Sequence, residues 1–351
     1  VRTDSRTADG TLPISYAGLR DGLQHILPYL EQARETIGAG ATTERRDTPA
    51  SQPLDAWLDD DARGDLVAIG THVADLPATP PRFLLAPLRV HYLVELPDDP
   101  AEARRRLNSS DRQRVTSGAK RRGWELEVST APADFEFFYD NMHVPTMAIR
   151  HPEDWVRSER RALARDAIFA HGCLLFLRQD GERVAGVTCR NEGRLLRLRL
   201  AGVLEGDLEH YRSSAQLALY ALTLEWAVEQ GFAAAELSGS RPFVSEGLYQ
   251  FKRKLRPRIV LPDNHFRNKR LLLGVRRDSP AVRDFLVANP VLAYDADGAL
   301  RATFFHDDTR PPRESLRWQC DGVEGIRHLD LDAWLAGAPT AAPSATAHAK
   351  A

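Results

Sequence analysis

Three apolar strands follow one another in quick succession, at Cys173–Leu177, Val184–Arg190 and Leu195–Ala201, and a helix and a fourth strand come directly after them. Asp180-Gly181 joins the first two and Asn191-Glu192-Gly193 the next pair, both common hairpin chemistries. Leu196, Leu198 and Leu200 alternate with Arg197 and Arg199, which gives that strand one buried and one polar face. Leu217, Tyr220, Ala221, Leu224 and Val228 then recur at the spacing of an amphipathic helix, Gly231 supplies a stop, and Ala233–Leu237 reads as a strand. A meander followed by a helix and another strand points to an α+β fold with a mixed central sheet flanked by helices.

Upstream, a strand at Val90–Leu96 precedes a basic helix between Pro100 and Arg122, and a strand at Trp124–Val128 leads into helices around Asp134–Met147 and Glu153–Ala170. Leu19, Leu23, Ile26, Leu27 and Leu30 predict a helix over Tyr16–Ile37 that Pro28 interrupts or kinks. Residues 1–11 are polar and expected to be mobile, and Gly38–Pro53 reads as a loop. Leu66–Ile69 and Phe83–Leu85 read as strands. The tail after Gly337 is Ala, Pro, Thr and Ser with almost no large apolar side chain, and is expected to be disordered.

The 351 residues suffice for one large or two ordinary domains, and 47 bases against 49 acids leave a formal charge of −2 that excludes a uniformly basic coat or an acidic tail. The distribution says more than the sum. Asp55, Asp59, Asp60, Asp61 and Asp65 form an acidic patch, whereas Gln250–Arg277 holds ten bases against Asp263 alone, a local field suited to phosphates. Cys173, Cys189 and Cys320 lack Cys-x-x-Cys spacing, and the first two sit in strands as small buried residues. No apolar run reaches the ~20 residues that span a bilayer and no signal-peptide core is visible, so the expected compartment is the cytoplasm. No histidine set has metal spacing.

The stretch from Tyr211 to Lys254, with its helix, strand, Ser238-to-Phe243 turn and Phe251-Lys252 pair, resembles the acyltransferases of the GNAT superfamily, specifically the FemAB-like branch that includes aminoacyl-tRNA-dependent peptidyltransferases. The order of elements over roughly residues 90–262 is that of a GNAT lobe. The branch typically pairs two such lobes, so the resemblance implies an N-terminal lobe over 1–89, a degenerate GNAT half, an acyltransferase lobe over 90–262, and a C-terminal extension over 263–336 packing on the lobes.

Acyl transfer to an amine needs a bound activated donor, a deprotonated nucleophile and something to stabilise the oxyanion. The GNAT architecture binds its donor at the start of the central helix, where free N–H groups and the helix dipole favour phosphates. There the coenzyme A signature is Gln or Arg, two residues, Gly, one residue, then Gly or Ala. Arg212 matches the first position, but Ala215 replaces the first glycine and Leu217 fills the last small position. Side chains there obstruct close approach to a pyrophosphate, which favours a bulky aminoacyl-tRNA donor over acetyl-coenzyme A. Arg212, Ser213, Ser214 and Gln216, with Phe251 and Arg253, are the expected donor-binding residues. Equally, serines at a helix start simply cap it.

Lys252 is the expected catalytic residue. In the FemAB-like enzymes the lysine of this pair is thought to lie near the donor ester and stabilise the intermediate, and an ammonium in a water-poor cleft offsets developing negative charge. The other reading is a solvated lysine on a basic face with Arg253, Lys254 and Arg256. Ser238, Ser240 and Arg241, with Tyr220 and Tyr249, are expected to bind substrate; alternatively Arg241 pairs with a local carboxylate such as Glu246. No general base stands out: His210, Tyr220, Glu225 and Glu236 lie near the right elements, and such groups are more often structural or solvated. The basic helix up to Arg122 either tracks a tRNA or faces solvent.

The expected activity is amide-bond formation by transfer of an aminoacyl group from aminoacyl-tRNA, a co-substrate rather than a tightly bound cofactor, to an amine of a small molecule or peptide. An acyl-coenzyme A-dependent N-acyltransferase of the same fold and a non-catalytic module that binds RNA or anions are the alternatives.

Overall fold

A computed structural model describes residues 1–48, 64–150 and 160–337. Asp55, Asp59, Asp60 and Asp61, the end of the expected Gly38–Pro53 loop, the start of the helix expected from Glu153, and the tail after Gly337 lie outside the described residues. Five strands come first: β1 (Arg2–Arg6), β2 (Ile14–Gly18), β3 (Glu44–Asp47), β4 (Leu66–His72) and β5 (Phe83–Pro87). They are followed by β6 (Val90–Glu95), β7 (Glu125–Ser129), β8 (Gly172–Gln179), β9 (Glu182–Glu192), β10 (Leu195–Val203) and β11 (Ala234–Ser240). The last are β12 (Arg258–Val260), β13 (Lys269–Val275), β14 (Val291–Tyr294), β15 (Leu300–His306) and β16 (Ile326–Asp330). The α+β class read from the sequence, mixed sheets flanked by helices, is the class observed.

The chain divides into two compact units, one of residues 1–90, 239–250 and 259 onward, the other of residues 91–238 and 251–258. The first holds a sheet in the order β3-β1-β2-β4-β13-β5, in which β2 and β4 run parallel and β13 is antiparallel to both neighbours. Ile14, Tyr16, Leu30, Leu66, Leu271 and Phe285 are part of its core. Residues 2–6, expected to be mobile, form β1, because polar partners replace apolar burial: Thr3 donates to Asp47 at 2.6 Å and Ser15 to Asp4 at 2.5 Å. Glu44–Asp47, expected as loop, pairs with β1 as an exposed edge strand. The helix expected over Tyr16–Ile37 begins after β2 and is two, Arg20–His25 and Leu27–Thr36, with Pro28 in the first turn of the second, where a missing N–H does no harm.

The second unit holds a sheet ordered β12-β6-β11-β10-β9-β8-β7. Strands β7 to β10 form an antiparallel meander, with Asp180 and Gly181 both at positive φ in the β8–β9 turn. Phe135, Phe138, Met142 and Phe169 pack with Leu174, Phe176 and Leu200 in an aromatic-rich core. Gly202 is required by close packing: a Cβ there would lie 2.5 Å from the Met142 carbonyl carbon. Cys173 and Cys189 face each other across β8 and β9 as buried free thiols. The central helix, Ala215–Glu229, crosses from β10 to a parallel β11. It is buried around most of its girth rather than along one stripe, since Leu219, Thr223 and Ala227 are as buried as the predicted face.

Candidate active site

The feature that opens this sheet is the short pairing of its two parallel strands. β10 and β11 are in register only from Leu195↔Ala234 to Arg197↔Glu236. Beyond that point Ser238, at φ +61, sends its hydroxyl to the Leu198 carbonyl at 2.6 Å, and β10 bulges against β9 between Leu198 and Ala201. A left-handed serine inside a strand is strained, and strain of this kind gathers at functional sites. The turn expected from Ser238 thus begins as an irregular strand that continues to Ser240.

The short helix Gly247–Lys252 brings the Phe-Lys pair into the same unit as the central helix. Lys252 is only 4% exposed, with its Nζ 5.0 Å from the centre of the Tyr92 ring. Burying an ammonium is costly, and an aromatic face offsets part of that cost. Phe251 is half-buried and meets Tyr220 edge-on at 5.2 Å, and burial pushes the Tyr220 phenol well above its ordinary range. Lys254 behaves differently: it is half-buried, 3.9 Å from Asp111, a carboxylate that also holds Arg114 at 3.1 Å. Asp111 belongs to the basic helix Ser109–Arg122, on which Arg114, Lys120, Arg121 and Arg122 are exposed. The Gln250–Arg277 run is therefore not one solvated stripe, as Lys252, Lys269 and Arg270 are buried.

At the start of the central helix, Ser214 occupies the cap position at φ +70 and makes no side-chain cap bond, while Ser213 donates to the His210 carbonyl at 3.0 Å. Arg212 is 73% exposed in the preceding helix Leu208–Arg212, with Glu209 at 3.6 Å, and Gln216 is half-buried. Ala215 and Leu217 are both buried.

The remaining expected substrate residues, Ser240, Arg241 and Tyr249, fall in the other unit. There Arg241 takes the local partner that the sequence offered: it donates to Glu246 at 2.8 Å and to the His25 carbonyl at 2.6 Å, and lies 5.1 Å over Tyr29. Its backbone N–H bonds the second Glu246 oxygen at 2.7 Å. The Tyr249 hydroxyl donates to the Trp318 carbonyl at 2.5 Å, and Ser240 to the Arg241 carbonyl at 2.9 Å. Glu225, weighed as a base, is held by Arg104 at 2.5 Å.

Sequence reasoning missed His91. On β6, its Nδ1 lies 3.0 Å from Glu236 Oε1 on β11, and both side chains are almost wholly buried. Arg197 holds the other Glu236 oxygen at 3.1 Å, with Arg199 at 3.9 Å. Burial pushes the Glu236 carboxyl up, but His91, Arg199 and Arg197 outweigh it and hold it below the usual carboxylate range. A single polar residue inside the apolar run Val90-His91-Tyr92-Leu93-Val94 was the available signal.

Among the described residues no group of three His, Cys, Asp or Glu could hold a metal ion, and no helix is long and apolar enough to cross a membrane. No protein-family model matches the sequence, and no curated protein matches it. The solved structures it is similar to include FemX, at 11% identity over 78% of this chain and 83% of that one, with a TM-score of 0.42. Others are L-PGS from Bacillus licheniformis, at 14% identity over 81% and 87% with a TM-score of 0.36, and a GCN5-related N-acetyltransferase from Kribbella flavida, at 14% over 62% and 70% with a TM-score of 0.26. At such scores the likeness says nothing of substrate.

Proposed function

We propose that the chain is an acyltransferase of the FemAB-like GNAT kind, which forms an amide by moving an aminoacyl group from aminoacyl-tRNA to an amine of a small molecule or peptide. The observation that carries this reading is the buried Lys252 over Tyr92, in a unit whose parallel strands β10 and β11 are paired only from Leu195↔Ala234 to Arg197↔Glu236. In the reaction the acceptor nitrogen attacks the ester carbonyl and a C–N bond forms. The carbonyl oxygen takes up negative charge, the ester C–O bond breaks, and the ribose hydroxyl leaves with a proton. A lysine ammonium in a dry site stabilises that oxyanion without reorganising water. The tRNA donor is supported by the basic helix Ser109–Arg122, which the Asp111 contact ties to the Lys252–Lys254 segment.

A second reading, an acyl-coenzyme A donor, is favoured by the open start of the central helix at Ser214 and by the burial of Ala215 and Leu217. Thermal shift separates the two. With tRNA as donor, charged or uncharged tRNA raises the melting temperature and coenzyme A does not, and tRNA affinity falls steeply with salt because phosphate contacts release counterions. Stabilisation by coenzyme A alone supports the second reading; stabilisation by RNA without any transfer points to a binding module.

A further inference from the structure

His91 and Glu236 are among the most buried ionisable side chains of their unit, 4% and 3% exposed, and the chemistry ascribed to Lys252 does not use them. Their closest atoms, His91 Nδ1 and Glu236 Oε1, are 3.0 Å apart, yet neither makes an aligned hydrogen bond. Buried polar atoms left unsatisfied call for an explanation, and short but misaligned contacts are common in catalytic dyads before substrate binds. The carboxylate is anchored independently of the imidazole, since Arg197 grips Oε2 at 3.1 Å and Arg199 stands 3.9 Å away. Nε2, the far ring nitrogen, has no hydrogen-bond partner among the described residues.

The dyad also lies at the right place in the sheet. Glu236 is in the last paired position of β11 before the parallel register ends, and β6, which carries His91, is the neighbour of β11 on the other side. His91 and Tyr92 are consecutive in β6, so their side chains leave opposite faces of the sheet. Lys252 is on the Tyr92 face. The ammonium and the imidazole are thus both placed by β6, the strand next to β11.

We propose that His91 is the proton acceptor for the attacking amine and that Glu236 is the positioning residue that orients it. This rests on the acyl-transfer reading above. As the C–N bond forms, Nε2 takes a proton from the amine nitrogen. As the ester C–O bond breaks, the departing ribose oxygen receives a proton, and the ring returns to its neutral form. Glu236, held ionised by its arginines, stabilises the imidazolium in between.

The test uses the full chain with a charged-tRNA mixture and a panel of acyl-coenzyme A donors, and two amine probes, lysine and hydroxylamine. Hydroxylamine is unprotonated and nucleophilic at neutral pH and depends far less on a base. His91→Gln should lower kcat about 100-fold with lysine, a typical loss for a general base, and less than about 10-fold with hydroxylamine. Glu236→Gln should change the ratio of the two rates in the same direction by a smaller factor, which a merely structural role would not do. Thermal melts establish that both variants are folded; if His91→Gln is not, His91→Asn is measured by the same ratio. Equal falls with both amines, or none, overturn the dyad while leaving the acyl-transfer reading intact. Absence of wild-type transfer from every donor to either amine overturns that reading and the dyad with it.

Discussion

Arg241 precedes the short helix Gly247–Lys252 and Lys252 ends it, two basic residues expected at the site, and the structure gives them different surroundings. Arg241 is 13% exposed at its side chain and spends its fork on Glu246 and the His25 carbonyl, stacking on Tyr29 within the unit that carries the N-terminal sheet. Lys252 is buried in the unit of the central helix, with its ammonium set against an aromatic ring. The arginine is held by its local carboxylate, whereas the ammonium lies buried over the Tyr92 ring of β6. Charge density in the sequence does not separate the two environments, and burial with named partners does.

The largest effect that sharpens this contrast is on turnover. Lys252→Ala is expected to lower kcat about 100-fold, comparable to the loss of an oxyanion donor. Lys254→Ala, which breaks only a 3.9 Å contact with Asp111, should change kcat less than about 5-fold. Steady-state kinetics of the two variants decide it, and similar small effects would return Lys252 to a structural role.

Arg241 should show the reverse pattern. Removing it leaves the buried Glu246 carboxylate without its guanidinium, so Arg241→Ala should cost about 3 kcal/mol of stability in denaturant unfolding. Sequence alone predicts impaired binding with the fold intact. Removing both partners, with Glu246→Gln added, should recover part of the loss, because no charge is then left uncompensated.

A pH effect belongs to the same unit. Burial, then the nearby charges of Arg89 and Arg241, push His25 down from its ordinary 6.5 to about 4. Its neutral form is the one that folds, so the stability it contributes is present above pH 6.5 and is lost as pH falls from there to about 4. Unfolding free energies at pH 7 and pH 5 should differ less in His25→Gln than in the wild type. The smallest effect is expected at Arg212, 73% exposed with one loose contact, where Ala should leave the melting temperature unchanged and weaken donor binding several-fold. Wild-type binding in that variant would remove Arg212 from the donor site.

Much of the unit around the central helix was legible in advance, because its strands and helix follow the periodicities of burial. The three meander strands, the Asp180-Gly181 turn and the helix through Val228 are found where apolar spacing put them. β1 was not legible: Arg-Thr-Asp-Ser-Arg has no apolar alternation, and it is a strand because Asp47, Ser15 and Arg34 supply partners from distant parts of the chain. Nor does composition show that Arg270, in the middle of a basic run, is buried beside Tyr294. The Phe-Lys pair was singled out by its wording alone, whereas the His91–Glu236 contact needed the neighbouring strand, since only the β6–β11 adjacency brings the two together.

A transfer assay tests the tRNA donor directly: the wild-type chain is given a charged-tRNA mixture or a panel of acyl-coenzyme A donors, each with an amine acceptor, with and without ribonuclease. Amide is expected to form from the charged tRNA, ribonuclease should abolish it, and Lys252→Ala should reduce it about 100-fold. Tight coenzyme A binding with turnover of acyl-coenzyme A that ignores ribonuclease would contradict the tRNA donor.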